Sequence, residues 1–141
     1  MIQGKLTHPQ IISALAAAGH GATVLISDGH YSAATAVGPN AVTIFLNLQA
    51  GAPTVPQVLD VVLQMVTVEK LTRILPSEDA RPCLVHSEID TLMPEDTKDE
   101  FVDRFRFYDL ARSADLALCI VTGDSRRFAN VLLTLGVLPQ T

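Results

Sequence analysis

The stretch GHGATVLISDGHYSA, residues 19–33, carries the two signals that decide the fold class of this chain. Gly19 ends an apolar helical pattern, because glycine readily adopts the backbone conformation that closes a helix. A short run of apolar and β-branched residues, ATVLIS, follows at once and is typical of a buried strand. A helix that leads directly into an apolar strand is the repeating unit of α/β proteins, so this stretch favours an α/β fold.

The sequence on either side repeats this alternation. A helix is predicted over THPQIISALAAAG, with Thr7 as its N-cap and Pro9 in its first turn. A second is predicted over TVPQVLDVVLQMV, where Thr54 and Gln57 have the spacing of a capping box. Further strands are predicted over AVTIFL, RPCLVHS, DLALCIVTG and ANVLLTLGV, and a further helix over EDTKDEFVDRFRFYDLARSA. The pattern predicts a single-domain α/β sandwich, residues 1–141, around a largely parallel sheet whose strand order it does not reveal.

Composition excludes several classes of function. At 141 residues, with 48% hydrophobic and 18% charged side chains, the chain is long enough to bury a core as one domain. No apolar run approaches the roughly 20 residues of a membrane-spanning helix, and the first residues lack a signal-peptide pattern. The net charge of −5 argues against a nucleic-acid partner. Cys83 and Cys119 show no metal or redox spacing, and a reducing cytoplasm is the expected location.

The charged residues are distributed unevenly. Between Lys5 and Asp60 the only formally charged side chain is Asp28, whereas most charged residues lie at or beyond Glu78. The apolar content of the first half is more than one small domain usually buries. Permanent subunit interfaces can bury the rest, because they resemble a domain core cut in half. We therefore expect a homo-oligomer in which the first half of the chain lies between subunits.

Two histidines and a carboxylate flank the first predicted strand. His20 precedes this strand and Asp28 follows it. Because a strand of five or six residues spans on the order of 17–20 Å, these two side chains are not automatically neighbours. They meet only if the fold or a second subunit brings opposite ends of the sheet together. Asp28 and His30 can converge at the carboxyl end of the strand, where α/β folds usually bind ligands.

Each of these residues also has a structural interpretation. His20, directly after a helix-ending glycine, can cap the last carbonyls of that helix, and Asp28 can form a turn. The spacing of His20, Asp28 and His30 matches no metal-ligand motif, so no metal site is predicted. The GHG triplet is a weak candidate for a nucleotide-binding loop, since a helix rather than a strand precedes its glycines. No cofactor is predicted.

Four motifs in this order resemble the ribose pyranase and fucose mutarotase family over essentially the whole chain: LAAAGHGATVLISD, GAPTVPQVLDVV, RFRFYDLAR and VTGDSRRFANVLLTLGV. The resemblance implies a cofactor-free enzyme that interconverts cyclic forms of a reducing sugar. It also implies a ring-shaped oligomer, for example a decamer, with active sites at subunit junctions. The GHG and IVTG elements look most like the fucose branch, whereas LQAGAPTVPQVLDVV looks more like the ribose branch.

The same resemblance implies a role for individual residues. His20 corresponds to the catalytic acid of the family. The positions that correspond to sugar-contacting residues are Asp28, Arg104, Tyr108, Phe128 and Asn130. Phe128 departs from the pattern, because the family has a tyrosine there and its hydroxyl is missing here. His30 has no counterpart in the motifs and would supply a second acid or base or line the pocket.

The chemistry of anomer exchange fits these residue types. Opening a hemiacetal requires that the ring oxygen gain a proton while the anomeric hydroxyl loses one, and an imidazole can donate and accept near pH 7. A carboxylate such as Asp28 can hold the sugar hydroxyls in register. The sequence therefore predicts a sugar mutarotase acting on L-fucose or a related sugar, with D-ribose pyranase as the alternative. A non-catalytic sugar-binding or regulatory module is the second hypothesis, because Phe128 lacks the family's hydroxyl.

Overall fold

The computed structural model describes residues 1–140, which form six strands and four α-helices in an α/β arrangement. The helices are α1 (Pro9–Ala18), α2 (Val55–Leu63), α3 (Leu84–Leu92) and α4 (Arg104–Ala111). The strands are β1 (Thr23–Ser27), β2 (Val42–Phe45), β3 (Val68–Ile74), β4 (Lys98–Val102), β5 (Leu116–Val121) and β6 (Val131–Leu135). A short 3₁₀ turn, Glu78–Ala80, lies between β3 and α3.

All six strands belong to one sheet in the order β2-β5-β1-β6-β3-β4. The β1–β5, β2–β5 and β3–β4 pairs are parallel, whereas β6 is antiparallel to both of its neighbours. The predicted α/β fold with a largely parallel sheet is therefore confirmed. At one end of the strands, here called the carboxyl edge, lie the carboxyl ends of five strands and the amino end of β6. The opposite edge is the amino edge.

Local sequence signals explain the first two helices. α1 begins as predicted, but the predicted Thr7 cap is wrong, because His8 is the N-cap and its Nδ1 accepts the Ile11 N–H at 3.4 Å. Gly19, with φ of 78°, ends the helix as expected. The capping box of Thr54 and Gln57 on α2 is confirmed.

Two predictions in the second half are wrong. RPCLVHS is not a strand, since α3 begins at Leu84, and the third strand in the chain is VEKLTRI at Val68–Ile74. The long helix predicted from Glu95 is two elements, because Lys98–Val102 forms β4 before α4 begins. β4 is an edge strand with mostly exposed side chains, so it lacks the apolar run that marks the buried strands.

The sheet separates two apolar clusters. Along β1, Val24 and Ile26 face the cluster that includes α1, α2 and α3, whereas Leu25 faces the cluster with α4, as the alternation of a strand requires. The edge strand β2 and the loop after it leave Phe45 and Leu48 67% and 83% exposed. Within the described part of the chain, no helix is both long and apolar enough to cross a membrane.

Candidate functional site

Asp28 and Asn130 meet at the carboxyl edge of the sheet. Because β6 runs antiparallel beside β1, its first residues lie next to the residue that follows β1. The Asn130 side-chain oxygen accepts the Asp28 backbone N–H at 2.8 Å, and both residues are buried. Since this bond uses the oxygen of Asn130, its NH₂ group is the part left to a ligand.

The carboxylate of Asp28 lies in a turn that limits its hydration. Its Oδ1 accepts the His30 backbone N–H at 2.9 Å, which is the geometry of a turn-forming aspartate. Burial raises the pKa of the Asp28 carboxyl above its ordinary value, although the hydrogen bond from His30 opposes this shift. The turn-forming interpretation is therefore correct, and the carboxylate can still accept hydrogen bonds from hydroxyl groups.

Phe128 precedes Asn130 by two residues and has an unusual backbone. Its φ of 63° is the only positive φ of a non-glycine residue within residues 1–140. A bulky residue in this region is a genuine outlier, at a cost of about 1–3 kcal/mol. The carbonyl oxygen of Phe128 lies 2.7 Å from the His86 Nε2. The guanidinium of Arg127 lies 5.3 Å from the centre of its ring.

His30 lines an open cavity at the carboxyl ends of β1, β2 and β5. The exposed imidazole has its Nε2 3.1 Å from the Ser125 carbonyl oxygen. The cavity has a volume of about 390 Å³, within the range of small-molecule sites. Its polar walls include His30, Asn47, Gln49, Thr122, Asp124 and Ser125. His30 thus faces β5, on the other side of β1 from Asn130.

An ion pair between a buried carboxylate and a partly exposed arginine anchors the loop between β5 and β6. Asp124 is 1% exposed, and its Oδ2 accepts the Val55 N–H at 3.0 Å and an Arg126 Nη2–H at 2.9 Å. Burial alone would raise the pKa of Asp124, but the hydrogen bonds from Arg126 and Val55, together with the charge of Arg126, lower it. Arg126 also pairs with Glu88 of α3. The loop that carries Phe128 is therefore fixed to α2 and α3.

Arg104 and Tyr108 lie on α4. This helix packs near β3 on the face of the sheet opposite to α1, α2 and α3. The exposed Arg104 guanidinium lies 5.0 Å from the Phe105 ring. The Tyr108 ring packs edge-on against Tyr31, at 5.4 Å between ring centres, and Tyr31 is three residues from Asp28. Within residues 1–140 no hydrogen bond joins Arg104 to Asp28. One copy of the chain thus brings Tyr108 toward the Asp28 turn and leaves Arg104 on the surface.

His20 lies at the amino edge, so it is at the opposite end of β1 from Asp28. Its imidazole is more than half exposed, and its Nε2 lies 3.2 Å from Glu69 Oε2. It lines a separate cavity of about 650 Å³ together with Asn40 and Asp115. The side chain contacts Glu69 of β3 rather than the carbonyls of α1, so the capping interpretation finds no support. A site that uses His20 and Asp28 together requires two copies of the chain.

Sequence reasoning missed two residues of this region. His86 lay in the stretch predicted as a strand, so its helical position facing Phe128 was not foreseen. Asp124 is a buried carboxylate directly after a buried strand, which is the one signal that could have identified it. Across the described residues, no three histidine, cysteine or acidic side chains are grouped as a metal ion would require.

Comparison with known proteins gives the same family for nearly the whole chain. Residues 1–138 match the model of the RbsD / FucU transport protein family. The chain is 32% identical to D-ribose pyranase 2 of Streptomyces griseus, with 97% of this chain and 98% of that protein covered. It is 27% identical to an L-fucose mutarotase of Actinobacillus pleuropneumoniae, with 93% and 92% covered.

Solved structures share the fold. Bacillus subtilis RbsD complexed with D-ribose superposes with a TM-score of 0.82 at 23% identity, covering 99% of this chain and 100% of that one. The fucose mutarotase from Streptococcus pneumoniae in complex with L-fucose gives a TM-score of 0.76 at 17% identity, covering 94% of each chain. At these identities the superpositions establish a shared architecture.

Proposed function

This chain belongs to the RbsD / FucU transport protein family, and on that premise we propose that it interconverts ring forms or anomers of a reducing monosaccharide. The resemblance predicted from the sequence is confirmed at the level of the family and of a carbohydrate isomerase. The observation that carries the proposal is the Asp28–Asn130 pair, in which the Asp28 backbone N–H donates to the Asn130 side-chain oxygen and both residues are buried at the edge where α/β folds bind ligands.

The carboxyl edge supplies the binding half of the site. The Asp28 carboxylate accepts hydrogen bonds from sugar hydroxyls, and the Asn130 NH₂ group donates to a sugar oxygen. The Phe128 ring offers an aromatic face to the C–H side of the sugar. Tyr108 and Arg104 add donors from α4, where the Arg104 guanidinium reaches ring or hydroxyl oxygens. His30 lines the neighbouring cavity as a second acid or base.

His20 supplies the acid and base half. In the proposed step its imidazolium gives a proton to the ring oxygen while the C1–O bond to that oxygen breaks. The anomeric hydroxyl loses its proton to His30 or to water, and its oxygen forms the C1=O double bond. The product is the open-chain aldehyde, which recloses on either face or from another hydroxyl. Each reaction returns the proton, so nothing is consumed. The Glu69 carboxylate, 3.2 Å from Nε2, orients the ring.

The two halves require a homo-oligomer. His20 and Asp28 lie at opposite edges of one sheet, so His20 of one copy faces the Asp28 turn of another at a subunit junction. The exposed apolar side chains Phe45 and Leu48, next to a nearly uncharged first half, support such an interface. A closed ring follows when the same heterologous contact repeats around an axis.

The substrate is the finer part of the proposal. We propose L-fucose or a related sugar, with D-ribose as the alternative. Relatives with both names match the chain: those at 32% identity are named D-ribose pyranases, and L-fucose mutarotases match at 27%. A furanose–pyranose change and an anomer change share the same ring-opening step, so the acid and base machinery serves either sugar.

Magnetisation-exchange NMR on equilibrated sugars tests this function. The protein should accelerate exchange between ring forms of L-fucose or D-ribose, and His20→Ala should lower the acceleration by about 10²- to 10⁴-fold. His8→Ser is the matched control, because it removes another imidazole but keeps a side chain that can cap α1. A loss below tenfold would overturn the role of His20. Broadened sugar resonances without accelerated exchange would favour the non-catalytic binding module.

A further inference from the structure

Phe128 is held in a backbone conformation that a phenylalanine rarely adopts. At its φ of 63° the Cβ of any L-residue is crowded by its own backbone. Such a conformation persists only when the surrounding structure enforces it, and it is common at functional sites. Two residues later, the side-chain oxygen of Asn130 accepts a hydrogen bond from the Asp28 N–H. The contact that enforces the conformation of Phe128 therefore also bears on the position of Asn130.

His86 makes that contact. Its Nε2 lies 2.7 Å from the Phe128 carbonyl oxygen, and because a carbonyl only accepts, the Nε2–H donates. The imidazole is 7% exposed, so water does not readily replace it. Burial lowers the pKa of His86, while the bond to the Phe128 carbonyl opposes this shift, and the ring is neutral near pH 7.

Neighbouring elements hold His86 itself in place. Arg73 of β3, 2% exposed, donates from Nη1 to the His86 backbone carbonyl at 3.4 Å. Arg73 also pairs with Asp90 of α3 and Asp99 of β4. The His86 ring lies 5.8 Å from the Phe101 ring. These groups are tied to one another and to the sheet, so they give His86 a rigid support.

We propose, on the basis of the function above, that His86 is a positioning residue of the sugar site. Its Nε2–H fixes the Phe128 carbonyl and so keeps the Phe128 ring and the Asn130 amide where they bind the sugar. His86 does not contact the sugar. When its donor is lost, the backbone at Phe128 relaxes toward ordinary conformations. Sugar binding then weakens, whereas proton transfer by His20 in the bound complex is unchanged.

Three single variants on α3 separate positioning from general stability. His86→Leu removes the donor, and it should raise KM for the sugar by about 5- to 150-fold, the range that corresponds to the strain of one such residue, with kcat changed less than threefold. His86→Gln retains a donor at nearly the same reach and should restore KM to within about threefold. Ser87→Ala, at the next, exposed position, is the control and should leave KM unchanged. A loss of kcat at unchanged KM would overturn the proposal.

A double-mutant cycle with Phe128→Gly gives the sharper test. Glycine adopts a positive φ without the crowding that burdens phenylalanine, so its conformation needs no enforcement by His86. In the Phe128→Gly background, His86→Leu should change KM less than twofold, although the same substitution in the wild type has the full effect. Equal effects in both backgrounds would overturn the proposal. If His86→Leu does not fold, His86→Phe, which keeps an aromatic ring but lacks the donor, takes its place in the cycle.

A measurement without sugar separates this proposal from the function on which it rests. The NMR signals of the Phe128 backbone and of the Asn130 side-chain NH₂ group should shift in His86→Leu and remain in place in Ser87→Ala. Unchanged signals in His86→Leu would overturn the positioning role even if the enzyme is a mutarotase. Shifted signals in a protein that binds no sugar would contradict the proposed function and leave the structural coupling standing.

Discussion

Asn130→Ala should weaken both the fold and sugar binding, because it removes the acceptor of a buried hydrogen bond. The Asn130 oxygen accepts the Asp28 N–H at 2.8 Å, and Asp28 and Asn130 are 4% and 6% exposed. A buried N–H left without a partner costs about 1–3 kcal/mol, and we expect the free energy of unfolding to fall by that amount. Denaturant unfolding at fixed protein concentration measures it, since assembly contributes to stability.

Asn40→Ala is the matched control for this prediction. Asn40 donates from its amide to the Ala114 carbonyl at 3.0 Å in an exposed position, so its removal should cost less than about 0.5 kcal/mol. In the exchange assay, Asn130→Ala should also raise KM for the sugar, because the Asp28 turn loses its tether and the ligand loses an NH₂ donor. Equal unfolding free energies for the two variants, with KM unchanged in Asn130→Ala, would refute the reasoning.

Two further predictions concern Phe128 and Asp28. Phe128→Tyr restores the hydroxyl of the family pattern and should raise the exchange rate of L-fucose or D-ribose up to roughly tenfold. This factor corresponds to one hydrogen bond of about 0.5–1.5 kcal/mol. No gain with any sugar would mean that the pocket is built around the phenyl ring. Asp28 has its pKa raised above 3.8 by burial, so its contribution to stability is present below pH 3.8 and is lost as the pH rises through the folded-state pKa. Asp28→Asn should therefore gain stability relative to the wild type as the pH rises above 3.8, and comparison of the two proteins cancels the opposite contribution of Asp124, whose pKa is lowered. A stability difference that does not vary with pH would contradict the burial of a charged carboxylate.

Periodicity and turn chemistry were sufficient to predict the fold class and the strands with continuous apolar sequence. β1, β5 and β6 are continuous apolar runs, and the termini of α1 and α2 follow from Gly19 and the Thr54–Gln57 capping box. β3 and β4 were missed because charged residues interrupt them. β4 lies at the sheet edge, where its exposed side chains need not be apolar.

The site was only partly predictable, for a topological reason. Asp28 and Asn130 are 102 positions apart, and they meet because β6 inserts antiparallel between β1 and β3. No local pattern in the sequence encodes that insertion. The separation of His20 from Asp28 followed directly from the length of β1. The contact of His86 with Phe128 was not predicted, because its stretch was interpreted as a strand and is the helix α3.

The most direct test of the central claim is complementation between two inactive variants. His20→Ala and Asp28→Asn should each be inactive in exchange NMR when assembled alone. When the two proteins are unfolded together at equal amounts and refolded, about a quarter of the junctions should pair an intact His20 with an intact Asp28 and recover activity in that proportion. Activity that returns at about this level is the predicted result. A co-assembled mixture as inactive as the two separate variants would contradict a site shared between copies of the chain.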